Sequence, residues 1–173
     1  MTNRLLGTVI ALSLSCPLAA SAQTDPVVAS LKGLNDITTT NIRATAETLD
    51  EALFSYRPTE EVRTMGEILG HIAGAQYTFC SVAAGEANPN SENFEETRTT
   101  KSEIVEALEM GFEYCEGVYA GMTDAKGAGE ASFFGNPNTP FGILAFNSAH
   151  NYEHYGNLVT YMRLNGITPP SSR

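Results

Sequence analysis

Three histidines are all that this chain of 173 residues holds, and two of them stand four apart in "HNYEH", His150 to His154. Side chains four positions apart on a helix lie one above the other on a single face. At that spacing two ring nitrogens can chelate one cation from one helix. Ile143, Asn147, Leu158 and Tyr161 share the stripe, so the pair faces inward beside apolar neighbours. Two unprotonated rings buried side by side need partners for their nitrogens, because an unpaired buried polar group is costly. A shared metal ion is such a partner. His71 lies seven residues beyond Thr64, on the flank of the Ile68, Ile72 and Ala75 stripe, with Gly70 and Gly74 close by to let another helix approach. If the helix carrying it runs antiparallel to the one carrying "HNYEH", all three histidines meet at mid-height. For each ring taken singly, an ordinary packed core position is the competing account.

Three neutral imidazoles with no fourth protein ligand leave a coordination position open, as in catalytic rather than closed structural zinc sites. Nitrogen ligands suit zinc, nickel or copper better than calcium or magnesium, and zinc is expected first with nickel second. Asn147, one turn before His150, and Tyr77, six residues beyond His71, are the candidates to support the rings from behind. Glu153 adjoins His154 but points about 100° around the helix from it, toward solvent. No Ser-His-Asp set, phosphate-binding loop or carboxylate pair stands out. Catalytic residues beyond the metal ligands stay unassigned.

Four helices must position these groups. Asp25 followed by Pro26 reads as an N-cap and first-turn proline. From Val27 to Leu53 apolar residues keep a helical period, and the first helix is expected to run to about Tyr56, before Pro58. "TMGE", Thr64 to Glu67, and "TKSE", Thr100 to Glu103, are capping-box patterns that open the second and third helices. The second is expected to end at Gly85 and the third near Met122. Residues 85–99 are polar and without period, hence a long loop. A Gly-rich segment, "KGAGEASFFGNPN", follows the third helix, with Phe133 and Phe134 expected to tuck against the bundle as a lid or plug. Thr139 and Pro140 start the fourth helix, which ends at Asn165 and Gly166.

No convincing strand and no repeat appears, so the fold class is all-α, a four-helix bundle. The loop between the second and third helices is far longer than an antiparallel hairpin requires and permits a crossover that leaves those two helices parallel. The cysteines bear on this. Cys80 lies 16 positions past Thr64, and Cys115 lies 15 past Thr100. Parallel helices put both sulfurs at one height, whereas antiparallel helices would separate them by roughly 16 Å. A Cys80–Cys115 disulfide and a crossover support each other, with two buried free thiols as the alternative.

The N-terminal "MTNRLLGTVIALSLSCPLAASAQ" has the charge, apolar run and A-x-A site of a secretory signal peptide cut after Ala22. Its apolar run falls short of the roughly 20 residues of a membrane span. A lipoprotein anchored at Cys16 is the second reading. Residues 1–22 are thus expected to be signal and 23–173 a single domain, exported to the periplasm or secreted and carrying no integral span after processing. Lys and Arg total 10 against 20 Asp and Glu, a net charge of −10. Such a surface repels nucleic acid and anionic lipid, so the partner expected is a small molecule, with a homodimer open by analogy with other small bundles.

"MGEILGHIAGAQYTFC" and "HNYEHYGNLVTYMRLNGITPP" resemble the two signature segments of the DinB family, small damage-inducible, metal-binding four-helix proteins unrelated to the DNA polymerase of that name. The similarity runs from about the first helix to the C-terminus. The resemblance implies a bundle whose middle helices run parallel through a long crossover, and a divalent cation held by His71, His150 and His154. Family members usually carry Gln where this chain has Asn157. Characterised relatives include thiol-dependent transferases and isomerases that use bacillithiol or mycothiol; those thiols are cytosolic, and an exported chain would not meet them. Two functions follow: a metal-dependent hydrolase or thiol transferase acting on a small molecule, or a non-catalytic metal- or ligand-binding bundle connected with stress.

Overall fold

The computed structural model describes residues 24–173. The expected signal peptide, and the alternative anchor at Cys16, therefore lie outside the described residues. Four long helices make the bundle: α1 (Pro26–Thr48), α2 (Met65–Ala84), α4 (Lys101–Gly121) and α6 (Pro140–Leu164). Single turns α3 (Phe94–Thr97) and α5 (Asp124–Gly127), a 3-10 turn at Glu51–Ser55 and a hairpin of β1 (Ala131–Phe133) with β2 (Asn136–Asn138) fill the connections. No helix among the described residues is long and apolar enough to cross a membrane.

Both capping boxes form. Thr64 Oγ1 accepts the Glu67 N–H and the Thr64 N–H donates to Glu67 Oε2, and Thr100 and Glu103 repeat the exchange. Thr139 caps α6 by accepting the Gly142 N–H, with Pro140 in the first turn.

Contacts set the directions of the helices. Gly66 adjoins Ile104, Gly111 adjoins Ala73 and Cys80 is bonded to Cys115, so numbers rise together and α2 and α4 are parallel. His71 meets His150 and His154, and Gln76 meets Asn147 and Asn151, so α6 runs against α2. Arg43 pairs with Glu109 and Glu116 while Lys101 reaches Glu47 and Leu49, so α1 runs against α4. The long 85–99 connection carries the crossover.

The first helix begins as expected, with Asp25 at the N-cap position and Pro26 in the first turn, but ends early. It stops at Thr48, because Leu49 and Asp50 turn extended and the chain tightens into the 3-10 turn at Glu51–Ser55. The cause is tertiary: Lys101 Nζ donates to the carbonyls of Glu47 and Leu49 at 2.9 and 2.6 Å, a cation on the negative end of the helix. Asp25 makes no side-chain cap bond within α1. Asp124 reaches across instead and accepts the Val27 and Val28 N–H groups, while Asp25 Oδ1 accepts the Asp124 N–H. The inward face of α1 is also more polar than its period suggests: Asn35, Thr38, Thr39 and Thr45 are buried and Leu34 is exposed. Thr38 and Thr45 satisfy their hydroxyls on the carbonyls of Leu34 and Asn41, which lowers the cost of burying them.

The Gly-rich segment is a second correction. It forms an antiparallel hairpin in which Phe133 pairs with Asn136 across a two-residue turn. Phe133 packs inward, 8% exposed, but Phe134 stands 74% exposed. Loop 85–99 is not wholly irregular either, because Phe94 is buried against Tyr77 and anchors α3.

Candidate metal centre

His71 comes from the middle of α2, and His150 and His154 from consecutive turns of α6. The structure brings all three together. His150 Nε2 lies 3.0 Å from His71 Nε2 and 3.1 Å from His154 Nε2, and the nitrogens that could act as ligands lie within 4.8 Å of one another. Ligands around a tetrahedral zinc stand about 3.3 Å apart, given Zn–N bonds of about 2.0–2.1 Å. His154 is buried, while His71 and His150 are half-buried.

Glu95 sets the tautomer of His71. Its carboxylate can only accept, so His71 Nδ1–H donates to Glu95 Oε2 at 3.1 Å and Nε2 is left as a bare lone pair. Arg63 Nε donates to the other oxygen of Glu95 at 2.6 Å. A carboxylate behind a histidine whose second nitrogen faces a cation is the usual outer partner of a metal ligand.

The consequence falls on His150. One proton on its Nε2 can bond only one of its two neighbours. With no proton there, the His71 and His150 lone pairs face each other across 3.0 Å. Either arrangement leaves one short nitrogen–nitrogen contact unbonded. The Nδ1 atoms of His150 and His154 are buried without a partner among the described residues. Protonation offers no escape near neutral pH. Burial, then the neighbouring His154 and His71 and the Arg63 guanidinium, push His150 down to about 3. Burial likewise lowers His71, helped by Arg63 and opposed by Glu95, and lowers His154, helped by His71. Three neutral rings with converging lone pairs fit a divalent cation, which takes all three at once.

The supporting residues are not those expected. Among the described residues, neither Asn147 nor Tyr77 hydrogen-bonds a histidine. Asn147 Nδ2 donates to Gln76 Oε1 at 2.9 Å and reaches Cys80 Sγ and Cys115 Sγ at 3.7 and 3.5 Å. Gln76 Nε2 in turn donates to Asn151 Oδ1 at 2.8 Å, so one buried Gln holds α6 on both sides of His150. Tyr77 stacks on Tyr114 and packs against Phe94, and bears on the centre only through α3. Glu153 and Asn157 are exposed.

Glu95, Gln76 and Asn151 escaped the sequence reading. Asn147 and Asn151 form an i, i+4 pair bracketing His150, which was a usable signal. Glu95 gave none, since it lies 24 residues from His71 in a stretch without period. Gly70 explains its arrival: a Cβ there would lie 2.8 Å from the Phe94 carbonyl oxygen and 3.1 Å from the Glu95 Cα. The glycine therefore admits the α3 backbone rather than a neighbouring long helix. At Gly74 a Cβ would meet nothing within 4 Å, and open space remains. That space is part of a cleft of about 390 Å³ bordered by His71, His150, Phe79, Phe134 and the loop from Asn88 to Phe94.

A family model of the DinB superfamily matches residues 35–158, a span that contains all three histidines. Three crystal structures share the fold. A DinB-like protein from Bacillus cereus ATCC 10987 is 19% identical with a TM-score of 0.71, over 82% of this chain and 95% of that one. A DinB-like protein from Bacillus subtilis is 23% identical with a TM-score of 0.62, over 83% and 93%. A DinB family member from Exiguobacterium sibiricum 255-15 is 17% identical with a TM-score of 0.63, over 84% and 95%. No curated protein matches the chain.

Proposed function

The chain belongs to the DinB superfamily, and on that premise we propose that it holds one divalent cation, zinc before nickel, through His71, His150 and His154 and acts on a small molecule. The observation that carries this reading is the pair of 3.0 and 3.1 Å nitrogen–nitrogen contacts, which three neutral rings cannot satisfy among themselves. When bound, such an ion supplies Lewis acidity and acidifies a water or a thiol at its open position.

The chain's own groups have separate tasks. Glu95 takes the Nδ1 proton of His71 in a hydrogen bond and keeps the opposite nitrogen free. Arg63 holds the Glu95 carboxylate in place through a direct ion pair at 2.6 Å. Gln76, with Asn147 and Asn151, fixes the rotation of α6 and hence the aim of His150. The cleft reaches His71 and His150 from one side, so the centre is accessible rather than closed by packed side chains. That access favours a hydrolase or thiol transferase over a metal that only stabilises the fold. Export through the N-terminal signal remains part of this proposal, and places the substrate outside the cytosol.

Elemental analysis of untagged protein starting at Gln23, beside a variant with all three histidines changed to Ala, tests the reading. About one zinc or nickel per chain, absent from the variant, is the expected result. No metal in the unaltered protein after incubation with both ions would overturn it.

A further inference from the structure

We propose that the cleft beside the histidines is a subsite for a neutral small molecule carrying one planar apolar ring, and that Phe134 is the residue that receives the ring. The proposal rests on the metal reading only for the donor atom that the same molecule would offer the cation.

Phe134 is out of place by every local rule. With Gly135 it forms the two-residue turn between β1 and β2, and both have positive φ, 49° and 77°. That is the pattern of a type I′ turn, whose first position is normally Asn, Asp or Gly because a bulky side chain is strained there. The ring gains little burial in return, being 74% exposed, whereas the core contact of the hairpin belongs to Phe133. Strain and exposure together mark a residue kept for something other than stability.

Its position supplies the reason. Phe134 borders the same cleft as His71 and His150. The ring is held there by an aromatic ladder. Phe134 lies 4.2 Å from Phe133 between centroids, Phe133 lies 5.6 Å from Phe79, and Phe79 meets His150 edge-on at 5.1 Å. The ladder links the exposed ring to His150 through three successive aromatic contacts.

Size and charge then limit the ligand. About 390 Å³ lies near the lower end of the roughly 300–1,000 Å³ of ligand pockets, enough for one ring and a short polar arm. No Lys or Arg lines the cleft among the described residues. Its one carboxylate, Glu92, is taken by Arg98 at 2.7 and 2.9 Å and by Thr97 at 2.6 Å. The uncharged residues Asn88, Ser91 and Asn93 also border the cleft. A phosphate or a second carboxylate would find no cationic side chain to meet it, while an uncharged ring with an amide-like edge finds both a face and hydrogen-bonding partners.

Benzohydroxamate and acetohydroxamate test this, since they chelate alike and differ only by phenyl against methyl. Titrated calorimetrically into zinc-loaded protein, benzohydroxamate should bind about tenfold more tightly. Phe134→Asn, which suits the turn, should reduce that advantage to about twofold or less, leave acetohydroxamate affinity unchanged and not lower Tm. Equal affinities in the unaltered protein, or an advantage that survives Phe134→Asn, would overturn the proposal. So would a lowered Tm with both affinities abolished, which would make Phe134 a structural residue. Should elemental analysis find no metal, the metal reading alone fails. The subsite is then decided on metal-free protein by saturation transfer to benzamide, with acetamide as control. Transfer to the benzamide ring that disappears in Phe134→Asn supports the subsite; transfer that persists in the variant, or none in the unaltered protein, overturns it.

Discussion

His71 keeps its Nδ1 proton because Glu95 can only accept one, and the direction of its other nitrogen follows from that bond. Glu95→Gln retains an acceptor oxygen but removes the charge. It is expected to weaken zinc binding by about 10–100-fold with little change in helicity, measured by competition against a chromophoric chelator. The histidines also make the metal-free protein sensitive to acid. All three titrate lower in the folded chain than the usual value near 6.5. The unfolded chain therefore binds protons first as pH falls through about 6.5, and folding stability is lost from there downward, toward about 3 for His150. Urea midpoints at pH 7 and pH 5 should show this loss, and His150→Gln should make the difference smaller; an unchanged difference would mean that burial does not hold His150 neutral.

Where helices meet, single backbone contacts carry the geometry. At Gly70 a Cβ would press on the Phe94 carbonyl oxygen at 2.8 Å, so Gly70→Ala must push α3 away and take Glu95 with it. A loss of about 1–3 kcal/mol by denaturant unfolding, together with weaker zinc binding, is expected. Gly74→Ala is the control on the same helix: its Cβ meets nothing within 4 Å, and helix propensity should add about 0.5–1 kcal/mol. If both variants lost metal affinity alike, the placement of Glu95 by Gly70 would be refuted. The end of α1 shows the same dependence on a neighbour. Lys101→Met removes the ammonium from the Glu47 and Leu49 carbonyls and should cost about 1 kcal/mol, read from the urea midpoint.

Across the molecule, one covalent bond and one polar cluster tie the crossover together. Cys80 and Cys115 lie 35 residues apart in sequence with Cα atoms 5.4 Å apart. Closing a loop of that length stabilises by about 3–4 kcal/mol in the chain-entropy account. Cys80→Ala with Cys115→Ala should lower stability by about that amount and also loosen Asn147, whose amide reaches both sulfurs one turn from His150. A metal affinity unaffected by that double change would show that Gln76 alone suffices to aim α6. Much of this plan was legible in the chain. Thr64 and Thr100 announced two helix starts through their own carboxylate partners three residues on, Pro140 announced a third, and the equal offsets of Cys80 and Cys115 pointed to parallel helices. The same kind of local signal turned His150 and His154 inward together, because helical period depends only on neighbours within a turn or two. What no local pattern holds is the contact between distant segments. Glu95 beside His71, Lys101 on the end of α1, Asp124 capping its start, Gln76 between two asparagines and Phe134 bordering the cleft each join elements whose meeting depends on how the whole chain packs. Such contacts leave no period to read, and they came only with the folded molecule.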